Sequence, residues 1–166
     1  DHCGCEHPEY WKEQILMIDY NNTEKLLQRI QNIRKNTTKI IVFSIHWGSN
    51  WIPDEMPSYI KEFGRKLIDN GVSIVYGHSA HHIPKNNIET YKDGIIIYGL
   101  GDLINDYSVK EEYKSDKAQI CIITKINKKL SYKLIPIKRK FVENNSSIPF
   151  YDDESLSDRP IIVDSS

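Results

Sequence analysis

The sequence predicts an α/β fold built around a mixed β-sheet. Two apolar segments, 39–45 and 72–76, are separated by an amphipathic helix that starts near Pro57, which is the pattern of a right-handed parallel crossover. Two hairpins are then predicted, around the turns at 92–94 and 127–129. The fold is therefore expected to combine parallel and antiparallel strand pairs.

Each element has its own signal in the sequence. An earlier helix is predicted after the polar residues 21–24, because apolar residues recur there at helical spacing, and residues 36–38 end it. Segment 39–45 is apolar without alternation, which predicts a strand buried on both faces. The apolar face of the second helix is made of Ile60, Phe63, Gly64, Leu67 and Ile68. Residues 70–71 provide its stop signal.

Length and composition indicate an ordinary globular chain. The 166 residues are 39% hydrophobic and 27% charged, with a net charge of -1, so no basic surface for DNA or RNA is expected. No apolar run approaches the roughly 18 residues that span a bilayer, and no signal peptide is seen at the start. We expect a cytoplasmic protein without a membrane segment. Residues 1–142 are interpreted as the folded domain and 143–166 as a polar tail or loop.

The cysteines do not form a disulfide pattern. Cys3 and Cys5 are separated by one glycine and Cys121 stands alone, which favours a reducing compartment. Together with His2 and His7, the first two cysteines have zinc-ligand chemistry, but the spacing is unusual for a zinc site. A frayed terminus is the favoured interpretation.

Histidines gather at the predicted strand ends. His46 follows the first strand of the crossover, and His78, His81 and His82 follow the second. Because parallel strands end at the same edge of a sheet, these imidazoles are expected to meet there. Neutral imidazole suits either divalent metal binding or proton transfer. The alternative is that the histidines only cap the turns.

Aromatic and acidic residues surround the same predicted edge. Trp47 and Trp51 are candidates for a substrate pocket or for the core, and Asn50 for binding an oxyanion or for shaping a turn. Asp102 and Asp106, beside a glycine-rich turn, are candidate ligands, turn formers or partners that orient His78 or His81. The orienting role is favoured.

Three blocks together resemble one protein family. Segments 44–51, 77–82 and 98–107 read SIHWGSNW, GHSAHH and YGLGDLINDY. Their order and separation are similar to those of the poly-gamma-glutamate capsule synthesis CapA family, within the calcineurin-like metallophosphoesterase superfamily. The resemblance covers about residues 38 to 110.

The resemblance implies a helix/sheet/sheet/helix sandwich with a metal centre at one sheet edge. Its ligands would be His46, His78 and His81, with His46, His78 and Asp102 in catalysis. Trp47, Asn50 and Trp51 would contact an anionic polymer or phosphoester. The cofactors would be divalent Mn, Fe or Zn ions, and the activity a metal-dependent hydrolysis in capsule or poly-gamma-glutamate synthesis.

The early Asp-rich, Gly-Asp and Asn-His blocks of the superfamily are not matched in this chain. The chain is therefore interpreted as the later half of the domain, with the N-terminal half as its expected partner, because half a sheet would expose edges and an apolar face. A non-catalytic component that binds a polyanion and an inactive partial domain are the alternative functions.

Overall fold

The computed structural model describes residues 16–52, 55–105, 108–127 and 129–139. Of residues 140–141, 147–151 and 161–162 it describes the backbone alone. The candidate zinc ligands at positions 2, 3, 5 and 7 lie outside the described residues, and so does Asp106. Among the helices that are described, none is long and apolar enough to cross a membrane.

The first sheet is mixed, as predicted. Its strands are β1 (Val42–His46), β2 (Ile74–His78), β3 (Ile88–Tyr91) and β4 (Gly94–Ile97), in the order β1-β2-β4-β3. β2 is parallel to both β1 and β4, whereas β3 is antiparallel to β4. Two helices accompany the sheet, α1 (Glu24–Lys35) and α2 (Ser58–Asp69). The predicted crossover and first hairpin are confirmed.

The second sheet is antiparallel and is built on a long hairpin. β5 (Lys117–Ile126) pairs along its whole length with β6 (Lys129–Phe141), which confirms the second predicted hairpin. β7 (Ser147–Tyr151) and β8 (Ile161–Ile162) also pair with β6. These two strands lie in the segment predicted to be a polar tail or loop. The sequence signal for β7 is weak because the strand has only five residues and contains Pro149.

The core lies on both faces of the first sheet, because alternate residues of each strand point to opposite sides. Ile45, Val75 and Ile96 pack with the helices, whereas Ile74 and Ile95 pack with the second sheet. The order of layers is therefore helix, sheet, sheet. On the outer face of the second sheet, exposed apolar side chains remain, namely those of Ile120, Ile122 and Ile126.

Strand β1 is less buried than its sequence predicts. Its alternate residues Val42, Ser44 and His46 are exposed, and Val42 retains 57% of its accessible surface. The prediction of burial on both faces is therefore wrong for the described residues. Among them β1 is an edge strand whose only neighbour is β2, and its outward face is open at Val42, Ser44 and His46. An apolar run predicts that something covers a strand, but it does not identify the covering element.

The helices follow their sequence signals closely. α2 begins after Pro57 and buries the predicted apolar face, with Ile60 and Leu67 fully inaccessible. α1 ends at Lys35 and has Asn36 as its C-cap. Arg34, in its last turn, donates hydrogen bonds to the carbonyls of Gly71 and Lys39. Arg34 thus joins the end of α1 to the segments that lead into β1 and β2.

Candidate functional site

His46 and His78 stand side by side at the ends of the two parallel strands. They are register partners across β1 and β2, and the backbone N–H of Trp47 donates to the carbonyl of His78 at 3.1 Å. Residues paired in this way project from the same face of a sheet. The side chains of His46 and His78 are therefore neighbours on the face of the sheet where β1 is exposed.

The ring of His78 is constrained by its neighbours. Its Nε2 lies 2.7 Å from the hydroxyl of Ser44, and its ring centroid is 4.1 Å from that of Tyr76. Burial, and secondly the proximity of His46, lower the pKa of His78. His78 is consequently neutral at pH 7 and retains a lone pair for a ligand or a proton.

The loop after β2 is tied to the loop after β1. Ser79 adopts a φ of 109°, which is rare for a residue other than glycine, and its hydroxyl lies 3.2 Å from the Gly48 carbonyl and 3.3 Å from Asn50 Oδ1. The N–H of His81 donates to the Asn50 carbonyl at 3.0 Å. Asn50 therefore joins the two loops, while its side chain remains exposed.

His81 is oriented by a chain of polar side chains. Its Nδ1 lies 2.7 Å from Asp102 Oδ2, and since a carboxylate only accepts, Nδ1 carries the proton. Asp102 also accepts from the amide of Asn105, whose oxygen accepts from Arg139. Arg139 is buried on β6 and donates as well to the carbonyl of Ser115. The second sheet thus helps to fix a side chain at the edge of the first.

A second group, which we call the Trp51 cluster, consists of Trp51, His82, Lys110 and Tyr113. The indole of Trp51 stacks on His82 at 5.9 Å and contacts Tyr113 at 5.1 Å. The ammonium of Lys110 lies 4.3 Å from the centroid of the indole. The cluster also contacts His81, because the ring centroids of Trp51 and His81 are 5.6 Å apart.

His82 belongs to the core rather than to the exposed edge. It is 3% exposed, and its Nε2–H donates to the carbonyl of Ile52 at 3.0 Å. Burial is the main cause that lowers its pKa. His82 therefore packs beneath Trp51 as a neutral ring.

The two tryptophans have different environments. Trp47 is 3% exposed, stacks on Tyr98 and donates from Nε1 to the Tyr98 carbonyl at 3.2 Å. It lies so close to Gly77 that a β-carbon there would overlap its indole. Trp47 is therefore a core residue that offers no surface to a substrate, whereas Trp51 is partly exposed. The core alternative is therefore confirmed for Trp47, whereas a substrate contact of Trp51 stays a prediction.

The metal-ligand chemistry present is divided into two sets. His46 and His78 form one, and His81 with Asp102 forms the other. Within the described ranges, no group of three or more His, Cys, Asp or Glu side chains is gathered closely enough to hold an ion. The donors, imidazoles with a carboxylate behind one of them, fit a divalent transition metal in type. Their number within these residues fits only part of such a site.

Several residues of the site have no signal in the sequence. Ser44 and Lys110 look like ordinary surface residues, and Tyr113 belongs to a short 3₁₀ turn, Glu111–Tyr113. Arg139 lies within a basic run that suggests a solvated strand end. Only the pairing of distant elements reveals that these side chains reach the histidine loops.

Taken together, the layers and the histidine-bearing strand ends define an α/β protein that is consistent with part of a metallophosphoesterase-like domain. The chain belongs to the bacterial capsule synthesis protein PGA_cap family, whose profile matches residues 4–107. This match confirms the family resemblance of the three sequence blocks.

Curated relatives match about half of the chain. A probable polyglutamine synthesis accessory protein of Mycobacterium tuberculosis is 36% identical over 89 residues, which is 54% of this chain and 23% of that protein. The capsule biosynthesis protein CapA of Bacillus anthracis is 30% identical over 83 residues, covering 49% of this chain and 19% of that protein. The chain thus spans less than a quarter of the length of these relatives.

Proposed function

We propose that this chain carries part of the metal site of a hydrolase that acts in capsule or poly-gamma-glutamate synthesis. The observation that supports it most is the in-register pairing of His46 with His78 at the exposed end of β1 and β2. Two imidazoles paired at an exposed sheet edge offer adjacent nitrogen ligands, which is the donor type that a divalent transition metal prefers.

Each residue has a definite role in this proposal. His46 and His78 present imidazole nitrogens from adjacent strands. Asp102 holds the proton on Nδ1 of His81, so Nε2 of that ring keeps the lone pair that a ligand needs. A bound divalent ion would supply a water of lowered pKa and would polarise a phosphoryl or acyl oxygen. The remaining ligands are proposed to come from protein outside the described residues, on the exposed face of β1.

The substrate class is inferred from the rim of the site. Trp51 is partly exposed beside His81, and the exposed Asn50 closes the adjoining loop. Aromatic and amide groups of this kind suit a chain that carries both methylene and anionic groups. An anionic polymer is therefore the favoured substrate, and a phosphoester is the alternative.

A second candidate function is supported by the Trp51 cluster. Lys110 presents a cation on an aromatic surface without needing a metal. A component that holds a polyanion without cleaving it would keep this cluster and would not depend on His46 or His78. The two functions therefore differ in which residues they need.

Metal uptake tests the first function directly. The purified protein, stripped with a chelator, is titrated with Mn²⁺, Fe²⁺ or Zn²⁺, and bound metal and melting temperature are measured. We expect metal near one equivalent or above and a rise in melting temperature, since a ligand that binds only the folded state stabilises it. His46→Ala with His78→Ala should abolish both effects.

His82→Gln is the matched control, because it removes a histidine that packs in the core. That variant should melt earlier but still take up metal. Absence of metal uptake by the unsubstituted protein would contradict the metal site. Polymer binding that persists in the His46→Ala, His78→Ala variant, without hydrolysis by any form, would favour the binding component.

A further inference from the structure

We propose that Lys110 and Trp51 form a carboxylate-binding subsite for an acidic polymer beside His81. The inference rests on the proposed function, and it adds the residues that would hold the polymer next to the reacting position. Lys110 has no counterpart among the residues that the sequence suggested for substrate binding.

Among the described residues, the ammonium of Lys110 lies on an aromatic ring and at the surface. Lys110 is exposed, and its ammonium lies 4.3 Å from the centroid of the Trp51 ring. Within the part of the chain that the structure describes, no carboxylate forms an ion pair with it. A lysine that rests on an aromatic face keeps N–H donors directed toward solvent. These donors can bind an anionic group that arrives from outside.

The position of Lys110 is fixed relative to His81. Its backbone N–H donates to the hydroxyl of Ser115 at 2.9 Å, and Ser115 is 1% exposed. The carbonyl of Ser115 accepts from Arg139, which also begins the polar chain that ends at His81. The subsite and the histidine are therefore held by the same buried guanidinium.

The chemistry of the cluster favours a polymer that alternates carboxylates with methylene groups. The indole of Trp51, with Tyr113 beside it, offers a flat surface on which methylene groups can pack. Lys110 provides a single cation, which matches one carboxylate of a residue such as γ-linked glutamate. Inorganic phosphate would gain the cation but would have nothing to pack on the indole.

The neighbouring charges also argue against indiscriminate anion binding. Glu111 and Glu112 are exposed directly after Lys110. They oppose the approach of every anion, poly-gamma-glutamate included, so binding depends on apolar contacts with Trp51 as well as on the charge of Lys110.

The test measures binding of fluorescently labelled poly-gamma-glutamate by anisotropy, with inorganic phosphate as the competitor. Lys110→Met should weaken binding about 10-fold, which corresponds to the loss of one hydrogen bond to a charged group. Lys110→Arg should retain the binding of the unsubstituted protein, because arginine keeps the charge and also stacks on indole. Lys125→Met is the control, since Lys125 is exposed at the other end of β5.

The outcomes separate the subsite from the function on which it rests. If the unsubstituted protein binds the polymer and Lys110→Met binds it equally well, the subsite is overturned and the proposed function stands. If the unsubstituted protein does not bind the polymer, the subsite and the polymeric substrate are both overturned, whereas the metal site is judged separately by metal uptake. Complete displacement of the polymer by low concentrations of inorganic phosphate would show a simple oxyanion site and would overturn the assignment to carboxylate polymers.

Discussion

His46 and His78 are paired directly across two parallel strands, so their imidazoles leave the sheet on the same side. Burial and the proximity of His46 both lower the pKa of His78, so the ring of His78 is neutral at pH 7 and keeps a lone pair.

The orienting carboxylate gives the first prediction. Asp102→Ala removes the acceptor that fixes Nδ1–H of His81, so metal affinity should fall by about 10-fold or more. Asp102→Asn keeps a neutral acceptor and should have a smaller effect. The affinity is measured by competition with a chromophoric chelator. Asp93→Ala, in the exposed turn between β3 and β4, is the control, and equal affinities for all three variants would refute the orienting role.

Close packing beneath the site gives the second prediction. Gly77→Ala places a methyl group against the indole of Trp47 and should lower the free energy of unfolding by about 2 kcal/mol. Gly99→Ala is the matched control, because its new β-carbon would lie 3.3 Å from Pro84 and needs only a slight adjustment. Urea denaturation of both variants checks the comparison. A similar loss in the two would mean that Trp47 can move aside.

The unequal faces of the first sheet give the third prediction. Val75 is fully buried beneath the helices, whereas Val42 is 57% exposed on the neighbouring strand. Val75→Ala should therefore cost about 2 kcal/mol of stability, and Val42→Ala less than about 0.5 kcal/mol. Thermal and urea unfolding measure both. If Val42→Ala cost as much as Val75→Ala, that face of β1 would be covered in solution.

The histidines give a prediction about pH. Folding lowers the pKa values of both His78 and His82, mainly through burial. The native state then binds fewer protons than the unfolded chain near and below pH 6.5, so the free energy of unfolding should fall as the pH drops through that range. This contribution is complete above about pH 6.5.

Urea unfolding at pH 7.5, 6.5 and 5.5 tests the prediction with the metal removed. His82→Gln eliminates one of the two rings whose pKa is lowered by folding. The fall in the free energy of unfolding between pH 7.5 and 5.5 should therefore be smaller in that variant. An equal decline would assign the pH dependence to other groups.

The sequence predicts the fold well where periodicity is strong. The apolar face of α2 and both hairpins appear as expected, because helical spacing and turn residues are local signals. β7 is missed because it is short and contains a proline. The prediction that β1 is buried on both faces is wrong because the local sequence does not determine which element covers an edge strand.

The site is predicted less completely than the fold. The strand-end positions of His46 and His78 follow from topology, so the sequence indicates their meeting. The sequence does not indicate that Trp47 is buried while Trp51 is partly exposed, because both occur in the same polar loop. Arg139 reaches the site because the second sheet packs against the first, and no residue spacing in the sequence predicts that packing.

The placement of Arg139 on β6 also sets an order of assembly during synthesis. The strands that carry the histidines leave the ribosome well before the hairpin that supplies the guanidinium. The parallel layer can collapse first, but Asp102 and Asn105 lack their final partner until β6 has been translated and has docked. The emerging chain therefore gains its scaffold early, and the position of His81 is completed only late.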